Sequence, residues 1–410
     1  MMSTLLTDIF QGLLVLLILC FIMLPFLMDR AGGWAALMEY SQQKPEIWNL
    51  IDKEKMSLWT ILALNLSAIA GGIAAPWIYN WISVSKNEKA ATQCGWGHLW
   101  KRIITLLFAF YGILFAIYKP GLQDPEASWG IVMQEILPIG VLGLMIVSFF
   151  AAAMSSAGTF ATTSSAMFSN YLYRKIISPF KSDKHYLTVG RVVAVLSILL
   201  AAVSTAFIGS IKEYVKLSLT LLSFIGIPIY FGVFWKKANI TGMWTSLSAG
   251  IGVYVTVITI TMVRQNLNFV EAINPSFENA VFLSTTASLL GMIAGSLFGK
   301  ATDALKLKRF HIIINTPVGD EKRLVEAGIS LPSMVDSGLI GPEKESLKPE
   351  VVEKLYDEDS QDKFFGASSN FELRRERTLP WYYPGFFKII LASVSLIVGT
   401  WLVVRIIFIW

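Results

Sequence analysis

Long apolar runs separated by short polar stretches set the pattern of this chain. About nine of the runs are long enough to cross roughly 30 Å of hydrocarbon as helices. They lie near 5–28, 57–82, 102–119, 139–171, 186–208, 212–234, 241–263, 279–298 and 385–408. No strand-like alternation competes with them, so the pattern predicts an all-α integral membrane protein. The run 139–171 exceeds what a bilayer needs, and it is expected to tilt or to project beyond the membrane. Gly71, Gly72 and Pro76 interrupt the run 57–82, and Gly226 with Pro228 interrupts 212–234. Breaks of this kind expose backbone groups and mark binding sites in transporters. A plain proline kink is the competing explanation.

Loop charge gives an orientation. The stretches "SVSKNEKAATQCGWGHLWKR", "YRKIISPFKSDKHYLTVGR" and "FWKKANITG" are basic, whereas "KPGLQDPEASWG" and "RQNLNFVEAINPSFEN" are balanced or acidic. Basic loops face the cytoplasm, which predicts a cytoplasmic N-terminus and an external C-terminus in a plasma (inner) membrane. Three parts follow: a membrane core over 1–299, a mixed-charge cytoplasmic linker over 300–384 for which partial disorder is the default expectation, and a last membrane helix within 385–410.

Composition agrees. Charged residues make up 15% of the chain, against about a quarter in soluble domains. The positive-inside bias accounts for the net charge of +5 without a nucleic-acid partner. Two cysteines, Cys20 and Cys94, build neither a disulfide framework nor a metal site. His98, His185 and His311 have no acidic or cysteine partner at a useful spacing, and no nucleophile elbow, phosphate loop or zinc spacing occurs. Enzymatic chemistry has no residues to rest on, and no organic cofactor is expected.

The candidate chemistry lies in "AAAMSSAGTFATTSSAMFSNYLY", Ala151 to Tyr173. Ala153, Ala157, Ala161 and Ser165 recur every four residues, and helix packing explains that stripe. Packing explains Ser155 and Ser156 less well. Hard cations prefer oxygen ligands, and the Ala152 carbonyl flanked by those two hydroxyls would form half of a cation site within one turn. Asp8, one turn from Gln11, is either a solvated helix end or a stop on an ion path. Around the two breaks, Asn65, Ser67, Gly71, Gly72 and Gly226 are candidates to line a solute site. Trp77, Tyr79 and Trp81 suit either stacking on a sugar ring or an interfacial aromatic belt.

These stretches resemble the sodium:solute symporter family, which includes the bacterial sodium/proline, sodium/pantothenate and sodium/galactose symporters. "AAAMSSAGTFATTSSAMFSNYLYRK" is similar to the family's eighth helix. "TDIFQGLL…AGGW" is similar to its fifth helix and "IGIPIYFGVFWKKANITGMWTSLSAGIGVY" to its tenth and eleventh. "LKRFHIIINTPVGDEKRL" is similar to a linker that some members carry before the last helix. The resemblance implies an inverted repeat of five plus five helices, the leucine-transporter-like fold, and sodium-coupled uptake of a small polar solute (a sugar, amino acid, vitamin or carboxylate). It implies sodium binding by Ala152 through its carbonyl and by Ser155 and Ser156 through their hydroxyls. Asp8 would lie on the sodium exit path, and 57–82 would be the solute-lining sixth helix. The chain departs from the family in having Asn170 where an Asp is common. It also lacks about five helices before the one bearing Asp8, so residues 1–299 would hold eight helices corresponding to family helices five to twelve. An incomplete chain that does not transport, or one half of a carrier with a separately encoded N-terminal half, is therefore a further expectation. A membrane sensor acting through 300–384 is a third.

Overall fold

The computed structural model describes residues 2–48, 56–76, 78, 82, 85, 88–178, 181–208, 210–316, 321–330 and 347–361, with 391–392, 394–396, 398–399 and 402 near the end. The expected last span, 385–408, and the rings of Trp77, Tyr79 and Trp81 thus fall wholly or mostly outside the described residues.

Helices dominate. Helix α1 (Met2–Leu17) runs through a π-helical turn, Ile18–Met23, into α2 (Leu24–Arg30), and α3 (Gly33–Gln43) follows a left-handed Gly32. Next come α4 (Leu58–Gly72), α5 (Glu88–Tyr118), α6 (Ser128–Ile136) and α7 (Ile139–Met167), which continues as a π-helix over Phe168–Ile177. Then follow α8 (Asp183–Phe207), α9 (Ile211–Phe234), α10 (Ile240–Gln265) and α11 (Phe269–Phe298). Among the described residues, six helical segments are long and apolar enough to span a membrane, and Leu58–Gly72 and Ile104–Tyr118 are shorter apolar helices. The chain is a multi-pass membrane protein. The long run is continuous from Ile139 to Arg174, and the run 57–82 is broken as its glycines predict. Helix α4 stops at Gly72, and turns bonded from Ala74 and Ala75 back to Gly71 and Gly72 follow.

Two groups of helices pack separately. In the first, α1 and α8 lie against α7, and Tyr111 of α5 is fully buried and donates to the Leu19 carbonyl in the π-turn, 2.7 Å. In the second, α9, α10, α11 and α4 pack together. Apolar burial does not draw helices together in lipid, so small residues and internal hydrogen bonds must hold them. The α10–α11 seam shows both. Ser246 and Ser288 share a 2.7 Å hydrogen bond, Thr245 donates to the Gly291 carbonyl, and a Cβ on Gly242 would lie 1.9 Å from Ser296 Oγ. Asn239 opens the first helix of this seam. It is the buried N-cap of α10, accepting from Gly242 N and donating to the Ser296 carbonyl.

Pro228 lies inside α9. It has no N–H for the Phe224 carbonyl one turn back, and an unsatisfied carbonyl in this setting is costly. Ser288 of α11 fills the gap, its hydroxyl donating to that oxygen at 2.8 Å. Ser288→Ala is expected to leave it bare and to cost about 1–3 kcal/mol, read as a lower midpoint in a thermal-unfolding series. Ser218→Ala, on an exposed hydroxyl bonded back to Tyr214, should leave the midpoint in place.

The described parts of 300–384 depart from the expected disorder. Helices α12 (Ala304–Asn315), α13 (Lys322–Glu326) and α14 (Pro349–Gln361) surround a core of their own, built on Ile312, Leu324, Ala327, Ile329, Val352 and Leu355. The mixed-charge surface hid the apolar positions that form it. Lys308 pairs with Glu353 at 2.6 Å, which raises the lysine's proton affinity and lowers the carboxylate's. The Tyr356 ring lies beneath the ammonium of Lys236, from the loop between α9 and α10, and near that of Lys308.

Candidate ion and solute site

Ala152, Ser155 and Ser156 occupy adjoining positions on α7. Ala152 and Ser156 are exposed and Ser155 is half-buried. Other hydroxyls on this helix bond back to its own backbone: Ser148 to Leu144, Thr162 to Gly158, and Thr163 to Thr159. Ser155 and Ser156 make no hydrogen bond to any described residue, so their oxygens remain available to a ligand. The small-residue stripe splits in two. Ala161 is buried, and Ser165 with Ser169 faces Gly190 of α8, whereas Ala153 and Ala157 are exposed. Packing therefore accounts for the lower half of the stripe and not for the half beside the two serines.

Helix α1 packs beside α7. Asp8 is half-buried on it and forms no ion pair with a described residue. Gln11 Oε1, one turn on, is buried without a hydrogen-bond partner. A carboxylate and an unsatisfied amide oxygen thus sit on the helix that packs beside α7.

The five solute-lining candidates divide. Ser67 and Gly71 of α4 are buried, Gly71 against Leu222 of α9 and Ser67 with its hydroxyl turned back to the Leu64 carbonyl at 2.9 Å. Gly226 is the point of closest approach, where a Cβ would lie 1.7 Å from the Ala70 carbonyl oxygen. Tyr230 donates to the Ile69 carbonyl near the end of α4, 2.9 Å. These residues build the α4–α9 crossing. Asn65 is on the other side of α4, half its donors spent on the Ile61 carbonyl, and Gly72 has open space where a side chain would be.

None of the predicted residues lines the cavity of about 320 Å³ between α3, the end of α5 and the loop after it, which Tyr40, Lys44, Phe115, Lys119 and Ser128 help to form. No cluster of three or more His, Cys, Asp or Glu that would hold a metal ion occurs among the described residues. Sequence reasoning also missed Glu126. From the loop before α6 it caps the N-terminus of α9, accepting from Ser210 Oγ at 3.0 Å, Ile211 N at 3.2 Å and Lys212 N at 3.4 Å. The capture ties the two helical groups together. Its sequence signal is slight, a lone Glu 85 positions from its target amide.

Those amides and the positive helix end hold the Glu126 carboxyl below its usual value. A carboxylate lowered on folding contributes fully above its unfolded value and loses that contribution as pH falls through the folded one. Hydrogen exchange at Ile211 and Lys212 should therefore be slower than in Glu126→Gln at neutral pH, and the two proteins should converge below the ordinary glutamate range, about pH 4.

An all-helical membrane protein with a broken helix, a hydroxyl-bearing long helix and a carboxylate alongside has the architecture of a leucine-transporter-like carrier. The family comparison gives the narrower assignment. The model of the sodium:solute symporter family matches residues 1–250, and the chain belongs to that family, whose members are carriers rather than enzymes. It is 30% identical over 156 residues to the sodium/glucose cotransporter of Vibrio parahaemolyticus, covering 37% of this chain and 27% of that one. It is 24% identical over 319 residues to the sodium/sialic acid symporter SiaT of Proteus mirabilis, covering 72% and 61%. A Na⁺-coupled sialic acid symporter solved in a substrate-bound, outward-open state shares its fold, with a TM-score of 0.52 at 18% identity over 73% of this chain and 63% of that one. The chain thus spans about three-fifths of these two sialic acid symporters and about a quarter of the glucose cotransporter.

Proposed function

We propose that the chain serves in sodium-coupled uptake of a small polar solute across the plasma membrane by alternating access. The observation that carries the reading is the pair of free hydroxyls, Ser155 and Ser156, on the helix packed beside the one bearing Asp8. Sodium takes the Ala152 carbonyl and the two hydroxyls as ligands, and Asp8 lies on its path to the cytoplasm. Three oxygens do not fill the shell of a hard cation, for which calcium's six to eight is a guide. The exposure of Ala152 and Ser156 leaves room for further ligands, from the solute, from water or from a segment facing α7. A separately encoded half that supplies them remains part of this proposal. A membrane potential adds about 2.3 kcal/mol per charge per 100 mV, which raises the attainable solute ratio about fifty-fold.

In this proposal the basic loops face the cytoplasm, with the N-terminus inside and residue 410 outside, and the positive-inside bias supports that orientation. The relatives are named for glucose, mannose, sialic acid and myo-inositol. A polyhydroxylated solute is therefore the first choice, and Asn65 and Gly72 are the residues of α4 placed to meet it. The test is uptake of those four compounds into proteoliposomes under an inward sodium gradient, with potassium as control. Sodium-dependent accumulation of any of them supports the reading. Equal uptake in both salts, by protein that binds sodium, would refute coupling.

A further inference from the structure

The contacts of α4 at its two ends differ in kind. At the Gly72 end, α4 crosses α9 backbone to backbone. Gly226 leaves no room for a side chain beneath the Ala70 carbonyl, a Cβ on Gly71 would lie 2.9 Å from Leu222 Cβ, and Tyr230 donates to the Ile69 carbonyl near the end of the helix. Separating these surfaces would bare a carbonyl and open a void, so the crossing is fixed.

At the Ser57 end the contact combines polar bonds with one aromatic edge, Trp59 meeting the Phe282 ring of α11 at 5.9 Å between centroids. Ser57 caps the helix and shares a 2.9 Å hydrogen bond with Thr60, whose hydroxyl donates to the Glu278 carboxylate of α11. Beside it Lys216 of α9 donates to Asn274 and lies 4.9 Å from the centre of the Phe277 ring, within electrostatic reach of Glu278 and Glu213. Glu213 Oε2 is buried without a partner. Lys216 and Glu278 are only half-buried. Water entering from this rim can replace each of these bonds at little cost, as it does for exposed ion pairs, which is not true of a buried carbonyl in a glycine contact.

We infer that α4 is a lever. It pivots at Ala70–Gly226 and is latched at its far end by Thr60–Glu278, with Lys216–Asn274 holding α9 to α11 behind it. Ten residues separate Thr60 from Ala70, roughly 15 Å along the helix, so a tilt of about 20° carries Thr60 some 5 Å from α11. The opening parts Ala63 from Phe277 and Val281, the dry contact just inside the latch. The inference rests on helix contacts and stands whether or not the chain alone moves a solute.

Pulsed electron–electron resonance on the full chain in lipid nanodiscs tests it. Cys20 and Cys94 are replaced by serine, and spin labels are placed at Leu58 and Phe269 for the latch end or at Ile69 and Gly232 for the pivot end. Thr60→Val and Glu278→Gln should each add a population several ångströms longer to the Leu58–Phe269 distribution and leave Ile69–Gly232 unchanged. Thr60→Ser keeps the donor and should restore the parent distribution. An unchanged outer pair in both variants, or an equal change in both pairs, overturns the lever. If the variants fail to fold, warming the parent protein must broaden the outer pair before the inner one, and simultaneous broadening overturns it.

Discussion

Ser156→Ala is expected to abolish sodium-dependent uptake and to weaken sodium binding by about ten- to a hundred-fold. That range corresponds to about 1.5–3 kcal/mol, the worth of one hydrogen-bonding group to a charged partner. Ser155→Ala should behave alike. The informative control is Ser148→Ala. Ser148 is on the same helix, but its hydroxyl is bonded to the Leu144 carbonyl, so its loss should leave sodium affinity alone. Binding of radioactive sodium to purified protein and solute accumulation in proteoliposomes read the two consequences separately. Unchanged sodium dependence in Ser156→Ala would remove that hydroxyl from the site.

Gly226→Ala is expected to have the largest effect on stability. The added carbon would sit 1.7 Å from the Ala70 oxygen, well inside van der Waals contact, and neither atom belongs to a side chain that can turn away. Helix α4 must move off α9, at a cost beyond the 1–3 kcal/mol of ordinary overpacking. Loss of the monodisperse peak on size-exclusion chromatography is the expected result. Gly232→Ala, two turns along the same helix with nothing within 4 Å of the added carbon, should be neutral or stabilising by up to about 1 kcal/mol, since alanine favours helix more than glycine does. Equal tolerance at both positions would show that the crossing is not tight.

Much of this architecture could be read from residue pattern. Hydropathy located the helices from α7 to α10 closely, because a bilayer demands long apolar segments and little else produces them, whereas α11 begins at Phe269, ten residues before the expected 279, in a polar stretch read as a loop. The glycines at 71 and 72 marked the end of α4 correctly. Their function was harder to read, because a glycine that frees backbone for a solute and one that admits a neighbouring helix look the same along a chain. Gly71 and Gly226 face another helix, which only the crossing of α4 and α9 reveals. Ser155 and Ser156 stood out because helix packing explained them less well than the stripe beside them, and the resemblance implied sodium as their ligand. What separates them from Ser148 and Thr163 is the direction of the hydroxyl, a matter of rotamer. Long-range polar pairs such as Ser288 with Phe224 or Glu126 with α9 carry no local signature, since each partner alone is an ordinary residue. The core of α12–α14 was masked by its charges, although Ile312, Leu324, Val352 and Leu355 are all apolar.

The π-turn at Ile18–Met23 has an effect at a distance. It takes in one more residue than an α-turn, so every side chain after it is rotated by about 100° relative to an unbroken helix. Asp8 and Gln11 before the turn, and Leu24 and Leu27 after it, therefore follow two different wheels, and one helical wheel drawn through 2–30 misassigns the faces of one half. A chimera that carries residues 2–23 into a relative whose helix is regular here would turn the Asp8 carboxylate by a quarter of a circle or more relative to the half that follows. Removing one residue between 18 and 23 would bring it back into phase.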